Sequence, residues 1–256
     1  MLVSFFSLFV AVVFIQFIYY VIVFGKFSFA KPQSSTPKRI PISVIVCAKN
    51  EEENVKNFIP LLADQDYPQF EIVLIDDASS DGTLDVLEEY EKKYPNIKLV
   101  KVENNEAFWG NKKFALTLGI KAAKYEYLLF TDADCYPVSK DWITKMSSQF
   151  TQQKNIVLGY GAYEKIAGTF LNKLIRFETL LAATQMFSWA KIGKPYTGVG
   201  RNMAYKREEF FKVRGFMDHM KIRSGDDDLF INQAANGNNT TICFAQDSFT
   251  YSKPKT

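Results

Sequence analysis

Between Ile42 and Phe130 short apolar runs alternate with stretches of helical periodicity, and this alternation narrows the fold more than any other feature. The runs are ISVIV (42–46), FEIVLI (70–75), IKLVKV (97–102) and YLLF (127–130). Between them, Val55, Phe58, Ile59 and Leu62 fall at helical spacing. A second helix is predicted near 82–93, with Leu84, Leu87 and Tyr94 on one side, and a third through Phe114, Ala115, Leu118 and Ala122. Pro60 conflicts with the first helix, because it has no N–H to donate. Near-continuous apolar strands alternating with helices predict a mainly parallel α/β sheet covered on both faces.

Ligands of such sheets bind outside the carboxyl ends of the strands. There the chain places Cys47-Ala48-Lys49-Asn50-Glu51, then Asp76-Asp77-Ala78-Ser79-Ser80-Asp81-Gly82-Thr83, then Thr131-Asp132-Ala133-Asp134. Gathered carboxylates repel one another, and a hard divalent cation with oxygen ligands relieves that repulsion. Asp132 and Asp134 flank one residue at a strand end and can turn toward a common ion.

Residues Leu2 to Gly25 carry no charged side chain, enough in a helix to span the hydrocarbon core. A signal peptide would have a basic residue before a shorter apolar core. Lys26, Lys31, Lys38 and Arg39 all follow the run, which predicts a single-pass anchor with everything downstream in the cytoplasm. Tyr19 and Tyr20 suit an interfacial belt, and residues 31–41 read as a Pro/Ser-rich linker within 26–41.

The net charge of +3 is dispersed, so no nucleic acid partner is expected. Three separated cysteines (Cys47, Cys135, Cys243) form neither a disulfide framework nor a zinc pattern. A single histidine, His219, excludes sites needing two, and no motif supports a Ser-His-Asp triad around it.

Several segments together resemble the family 2 glycosyltransferases of the GT-A fold, in their membrane-anchored bacterial form. VIVCAKNEEENV resembles that family's opening strand and Asn-Glu turn, and VLIDDASSDGT its uracil-contacting turn. GNKKFALTLGI resembles the Gly-x-Lys-x-x-Ala-Leu helix and LLFTDADC the metal-binding Asp-x-Asp. GVGRNMAYKREEFFKVRGF resembles the acceptor-side segment, and SGDDDLF the Glu-Asp-x-Asp-Leu motif of the catalytic base. The likeness runs from about Ile42 to Tyr251, with a nucleotide-binding half near 42–135 and an acceptor half near 136–256.

The resemblance implies a Rossmann-like GT-A domain after one transmembrane helix, at the inner (plasma) membrane. It implies inverting transfer from a nucleoside-diphosphate sugar, with UDP favoured, to a glycan or lipid acceptor. Asp132 and Asp134 would hold Mn2+ or Mg2+. Ala48, Asn50, Glu51, Asp76, Asp77, Lys112, Asp132 and Ala133 would bind the donor, with either Asp76 or Asp77 on the base edge. Gly200, Arg201 and Asn202 would lie on the acceptor side. Asp226 would be the catalytic base with Asp227 as its nearest rival, since Gly225 replaces the usual Glu. The plainer reading of these aspartates is an acidic helix N-cap.

The family's Gln/Arg-x-x-Arg-Trp segment does not occur before Thr256, so the chain is expected to be a piece of a longer protein. That departure keeps open a scaffold that binds nucleotide sugar without turnover. A haloacid-dehalogenase phosphatase would place Asp-x-Asp on its first strand with Thr or Val two residues later, where Tyr136 stands here. A sugar nucleotidyltransferase would need a Gly-rich loop where AKNEEEN stands. From Phe170 to Trp189 the chain is heavily apolar, with Leu171, Leu174, Ile175, Phe177, Leu180, Leu181 and Phe187. This predicts a buried core helix; the alternative is a helix at the membrane surface.

Overall fold

A computed structural model describes residues 2–32, 39–103, 112–222 and 224–254. Lys38 and the rest of 33–38 in the linker, Gly110 and Asn111 of the lysine motif, and Thr256 lie outside the described residues.

The uncharged run forms α1 (Leu2–Tyr19), a π-helical turn (Tyr20–Phe24) and α2 (Gly25–Ser28). Leu2–Ser28 is long and apolar enough to cross a membrane, and no α1 residue is buried against the protein. Its far end is docked. The Phe27 ring lies 5.3 Å from Phe187 and 5.2 Å from Phe244, and Trp189 Nε1 donates to the Tyr19 hydroxyl at 3.3 Å.

The body then runs β1 (Ile42–Ala48), α3 (Glu52–Ala63), β2 (Phe70–Asp77), α4 (Thr83–Lys93), β3 (Ile97–Val102), α5 (Lys112–Ala122) and β4 (Tyr127–Asp132). It continues through β5 (Cys135–Pro137), α6 (Trp142–Ser147), β6 (Ile156–Leu158), β7 (Gly161–Tyr163) and α7 (Phe170–Lys191). A 3-10 turn at Gly200–Asn202 leads into β8 (Met203–Lys206), α8 (Arg207–Lys212), α9 (Asp228–Ala234), β9 (Thr240–Ile242) and β10 (Thr250–Ser252).

Seven strands form the main sheet in the order β3-β2-β1-β4-β8-β6-β9. The first four are mutually parallel, and β8 runs antiparallel to both its neighbours. Consecutive strands step outward from β1 to β3, then the chain crosses back to place β4 on the other side of β1. That reversal opens a crevice at the carboxyl ends of β1 and β4. A small sheet, β5-β10-β7, stands beside it.

Core side chains cover both faces of the main sheet. Val55, Ile59, Leu62, Leu87 and Trp142 fill one side, and Ala115, Ile120, Phe187, Phe210 and Phe230 the other. Gly119 lets α5 press onto the sheet, since a Cβ there would stand 2.2 Å from Ile75 Cδ1. Helix α3 runs straight through Pro60. The missing Pro60 N–H leaves the Lys56 carbonyl without its helical donor, and the Tyr90 hydroxyl of α4 supplies one at 2.9 Å.

The stretch predicted as a core helix is α7, and it is not one. Only Asn172, Ala183, Met186, Phe187 and Ser188 are buried, while Phe170, Leu171, Leu174, Phe177, Leu180 and Leu181 are exposed. Apolar content alone could not reveal which side of this helix the sheet covers; the sheet takes its C-terminal part only.

Candidate active site

The strand register brings the acidic tips together. Across β1, Cys47 lies opposite Ile75 on one side and Asp132 on the other, and Ala48 lies opposite Asp76. An open cleft of about 300 Å³ results, lined by Cys47, Lys49, Glu51, Asp77, Lys112, Asp132, Ala133 and Asp134.

Asp77 faces this cleft and meets the Lys49 ammonium at 3.4 Å. Asp76 is buried behind it, with Oδ2 accepting from the Ser79 amide at 3.3 Å and Oδ1 unpartnered among the described residues. Of the pair left open by the sequence, Asp77 is the one at the cleft. Ala48 is buried beneath it. Asn50, in the left-handed region at φ 54, accepts from the Ser80 amide at 2.8 Å and so ties the turn after β1 to the turn after β2. The Glu51 amide donates to Thr83 Oγ1 at 2.8 Å, which adds a second tie.

Asp132 and Asp134 converge as their spacing suggested. With Cys135 Sγ they bring ligand atoms within 4.8 Å of one another. Burial pushes the Cys135 thiol well above its ordinary range, and its S–H donates to Asp134 Oδ1 at 3.3 Å. The useful donors are therefore two carboxylates, a hard-oxygen set that suits Mg2+ or Mn2+. Ser252 Oγ, in β10, orients Asp134 by donating to Oδ2 at 3.2 Å.

Lys112 opens α5 and reaches both walls. Its Nζ lies 2.8 Å from Asp132 Oδ1 and 3.4 Å from Asp226 Oδ2. Burial works to lower this ammonium, but Asp132 and then Asp226 outweigh it and hold it well above the usual lysine range. Asp226, Lys112, Asp132, Cys47 and Gly200 line one narrow gap leading off the cleft. The Cys47 thiol in that gap is pushed up to about 12, chiefly by burial, so it is no nucleophile.

Asp226 and its rival part ways here. Asp227 is the N-cap of α9, with Oδ1 accepting from the Asp228 amide and Oδ2 from the Gly200 amide, both at 2.8 Å. The helix-cap reading thus holds for Asp227, whereas Asp226 turns into the gap. Gly225 permits this turn at φ +80, a backbone state that disfavours a glutamate there.

Gly200, Arg201 and Asn202 face three ways. Gly200 holds Asp227. Asn202 is fully buried, accepting from Trp142 Nε1 at 3.0 Å and donating to the carbonyls of Tyr160 and Ser248. Arg201 stacks on Tyr163, its guanidinium carbon 4.4 Å from the ring centroid.

Two site lysines went unread in the sequence. Lys49 lies one residue past β1, and only its place at a strand tip hinted at a role. Lys113 is fully buried and donates to the carbonyls of His219, Ile222 and Ser224 at 2.8–3.0 Å, pinning the segment that leads to Asp226.

A mainly parallel sheet with a strand-order reversal, an Asp-x-Asp at the tip of β4 and an opposing aspartate before α9 define a GT-A type of site. The glycosyl transferase family 2 profile matches residues 43–225, and the chain belongs to that family. Poly(ribitol-phosphate) beta-glucosyltransferase of Bacillus spizizenii is 32% identical over 46% of the chain, and the match covers 18% of that protein. Probable glycosyltransferase YdaM of Bacillus subtilis is 29% identical over 76% of the chain and 47% of its own length. The chain therefore spans less than two thirds of these curated relatives. Among solved structures, the mannosyltransferase PcManGT of Pyrobaculum calidifontis, in complex with GDP-Man and Mn2+, superposes with a TM-score of 0.68 at 20% identity, over 96% of this chain and 67% of that one. TarS 1–349 of S. aureus gives 0.60 at 22% identity, over 84% and 60%. At these identities the likeness establishes the fold.

Proposed function

We propose that this chain is the donor-binding and catalytic part of an inverting glycosyltransferase on the cytoplasmic face of the plasma membrane. The observation that carries it is Lys112, whose one ammonium touches both Asp132 and Asp226. The diphosphate end and the base end of a transfer reaction then lie within one side chain's reach.

Asp77 accepts hydrogen bonds from the nucleobase edge, a role that suits an ionised carboxylate. Asp132 and Asp134 would hold Mn2+ or Mg2+, which supplies positive charge to the departing diphosphate. Lys112 adds a point charge on the same side. Asp226 takes the proton from the acceptor hydroxyl. Inversion needs no protein nucleophile, in keeping with the half-buried Cys47, whose thiol is held protonated. PcManGT was solved with GDP-Man and Mn2+ and TarS 1–349 with UDP-GlcNAc, so a nucleoside-diphosphate sugar is the donor class, and the Asp-Asp-Ala-Ser turn favours UDP. The apolar Leu2–Ser28 helix and the lysines after it support the anchor and its orientation.

Membranes bearing the full-length gene product, given a panel of labelled nucleotide sugars with Mn2+ or Mg2+, test this. Metal-dependent transfer that vanishes in Asp226→Asn while nucleotide still binds supports the transferase. Binding without turnover under every condition supports a scaffold instead.

A further inference from the structure

Helix α7 presents two faces side by side. Outward, Phe170, Leu174, Phe177 and Leu181 recur at i, i+4, i+7 and i+11, all exposed. On the adjoining face, Ile175, Glu178, Thr179 and Ala182 line a cleft of about 330 Å³, walled opposite by Tyr160, Tyr163 and Arg201.

Its lining carboxylate, Glu178, is exposed at the rim, and the opposite wall carries Arg201. Arg201 Nη1 is buried with no hydrogen-bond partner among the described residues. Among the described residues the arginine ion pairs are Arg207 with Glu126 and Arg214 with Asp218, and Arg201 makes none. A buried guanidinium N–H without an acceptor is costly, and an anionic oxygen answers both needs. Arg176 stands near as well: burial raises the Tyr160 hydroxyl, and Arg176 and Arg201 both act against that rise.

The outward stripe has its own partner. Tyr19, at the end of α1, is bonded to Trp189 in the last turns of α7. Leu181 is about 12 Å from that point along the helix, at about 1.5 Å per residue. The stripe therefore ends about two helical turns from the point where the apolar span meets the body, within reach of a bilayer surface there.

We propose that this cleft takes the phosphate-bearing head of a lipid acceptor, with the phosphate on Arg201 and the lipid chain along Phe170, Leu174, Phe177 and Leu181 at the membrane surface. Glu178 and Thr179, toward the rim, serve hydroxyls of the head. Arg201 follows Gly200, whose amide holds Asp227 beside Asp226, so the head lies on the base's side of the crevice. The proposal rests on reading the acidic crevice as a transferase site.

The test uses the full chain in a non-ionic detergent with four probes: UDP, dodecyl phosphate, dodecanol and inorganic phosphate. Dodecyl phosphate should bind at least about tenfold more tightly than dodecanol or inorganic phosphate, the step worth about 1.4 kcal/mol. Arg201→Gln should reduce it to the level of dodecanol, with Arg201→Lys intermediate. The pair Leu174→Asp and Phe177→Asp should weaken dodecyl phosphate and leave UDP unchanged, which also reports a folded chain. Unaltered dodecyl phosphate binding in Arg201→Gln overturns the proposal, as does inorganic phosphate binding as tightly as its dodecyl ester. If UDP binds and dodecyl phosphate does not, this proposal alone fails. If UDP does not bind the unaltered chain, the transferase reading fails first.

Discussion

The Lys113 ammonium donates to the Ser224 carbonyl at 2.8 Å, two residues before Asp226. With the bonds to the His219 and Ile222 carbonyls it gathers three carbonyls around one buried cation. Lys113→Met leaves those carbonyls without this donor and should cost about 2 kcal/mol or more of stability, at about 1–3 kcal/mol per orphaned group. Turnover should fall further than donor affinity, because the loop bearing Asp226 loosens while Asp77 and Asp132 stay in place. Thermal unfolding and a kcat-against-KM comparison check both parts; an equal loss in kcat and in nucleotide binding would contradict the positioning role.

Asp226 and Asp227 should separate cleanly. Asp226→Asn should lower turnover by about 100-fold or more, the usual contribution of general base catalysis. Asp227→Asn keeps a capping oxygen and should retain turnover within about tenfold. Steady-state rates on both variants decide which aspartate is the base.

The same variant carries a pH signature. Burial pushes Asp227 above the ordinary carboxylate range, against the Gly200 amide, which lowers it. The folded state then holds this proton more tightly than the unfolded chain does. Its contribution to stability is greatest at low pH and declines as pH rises from the ordinary value of 3.8 through the raised one. Unfolding of Asp227→Asn, followed across that window, should lack this decline.

Chelation should weaken nucleotide binding, and Mn2+ or Mg2+ should restore it. In Asp134→Ala the metal should restore little, since one of two carboxylate ligands is gone. Calorimetric titration of UDP with and without metal measures it; metal-independent UDP affinity in the unaltered chain would remove Asp132 and Asp134 from the ligand role.

Tyr90→Phe deletes one oxygen far from the cleft. It leaves the Lys56 carbonyl, already deprived of a donor by Pro60, without the Tyr90 bond and should cost about 1–2 kcal/mol. Thermal unfolding should show the loss with donor binding unchanged.

Strands β1, β2 and β4 could be read directly, because parallel strands covered on both faces are near-continuously apolar and stand out from their surroundings, and the edge strand β3 showed as alternating IKLVKV. Asp77, Lys112, Asp132, Asp134 and Asp226 followed from their places at strand tips and from motif likeness, and they do gather in one crevice. The small β5-β10-β7 sheet could not be read, since three-residue strands carry no period. Pro60 argued against a helix that the Tyr90 hydroxyl, distant in sequence, makes tolerable. Lys113 looked like any solvated lysine, because burial of its ammonium depends on carbonyls about a hundred residues away. Helix α7 misled because its apolar content does not reveal which of its residues the sheet covers.

In the tripeptide Gly200-Arg201-Asn202, one residue serves the base loop, the next a cleft wall and the third the interior. Such a segment has little room to drift in evolution or in motion. A change of acceptor among related chains is then expected to be written in the surrounding walls, at Tyr163 or Glu178, while these three positions stay put. The arginine that walls the cleft is thus one peptide away from the amide that caps α9.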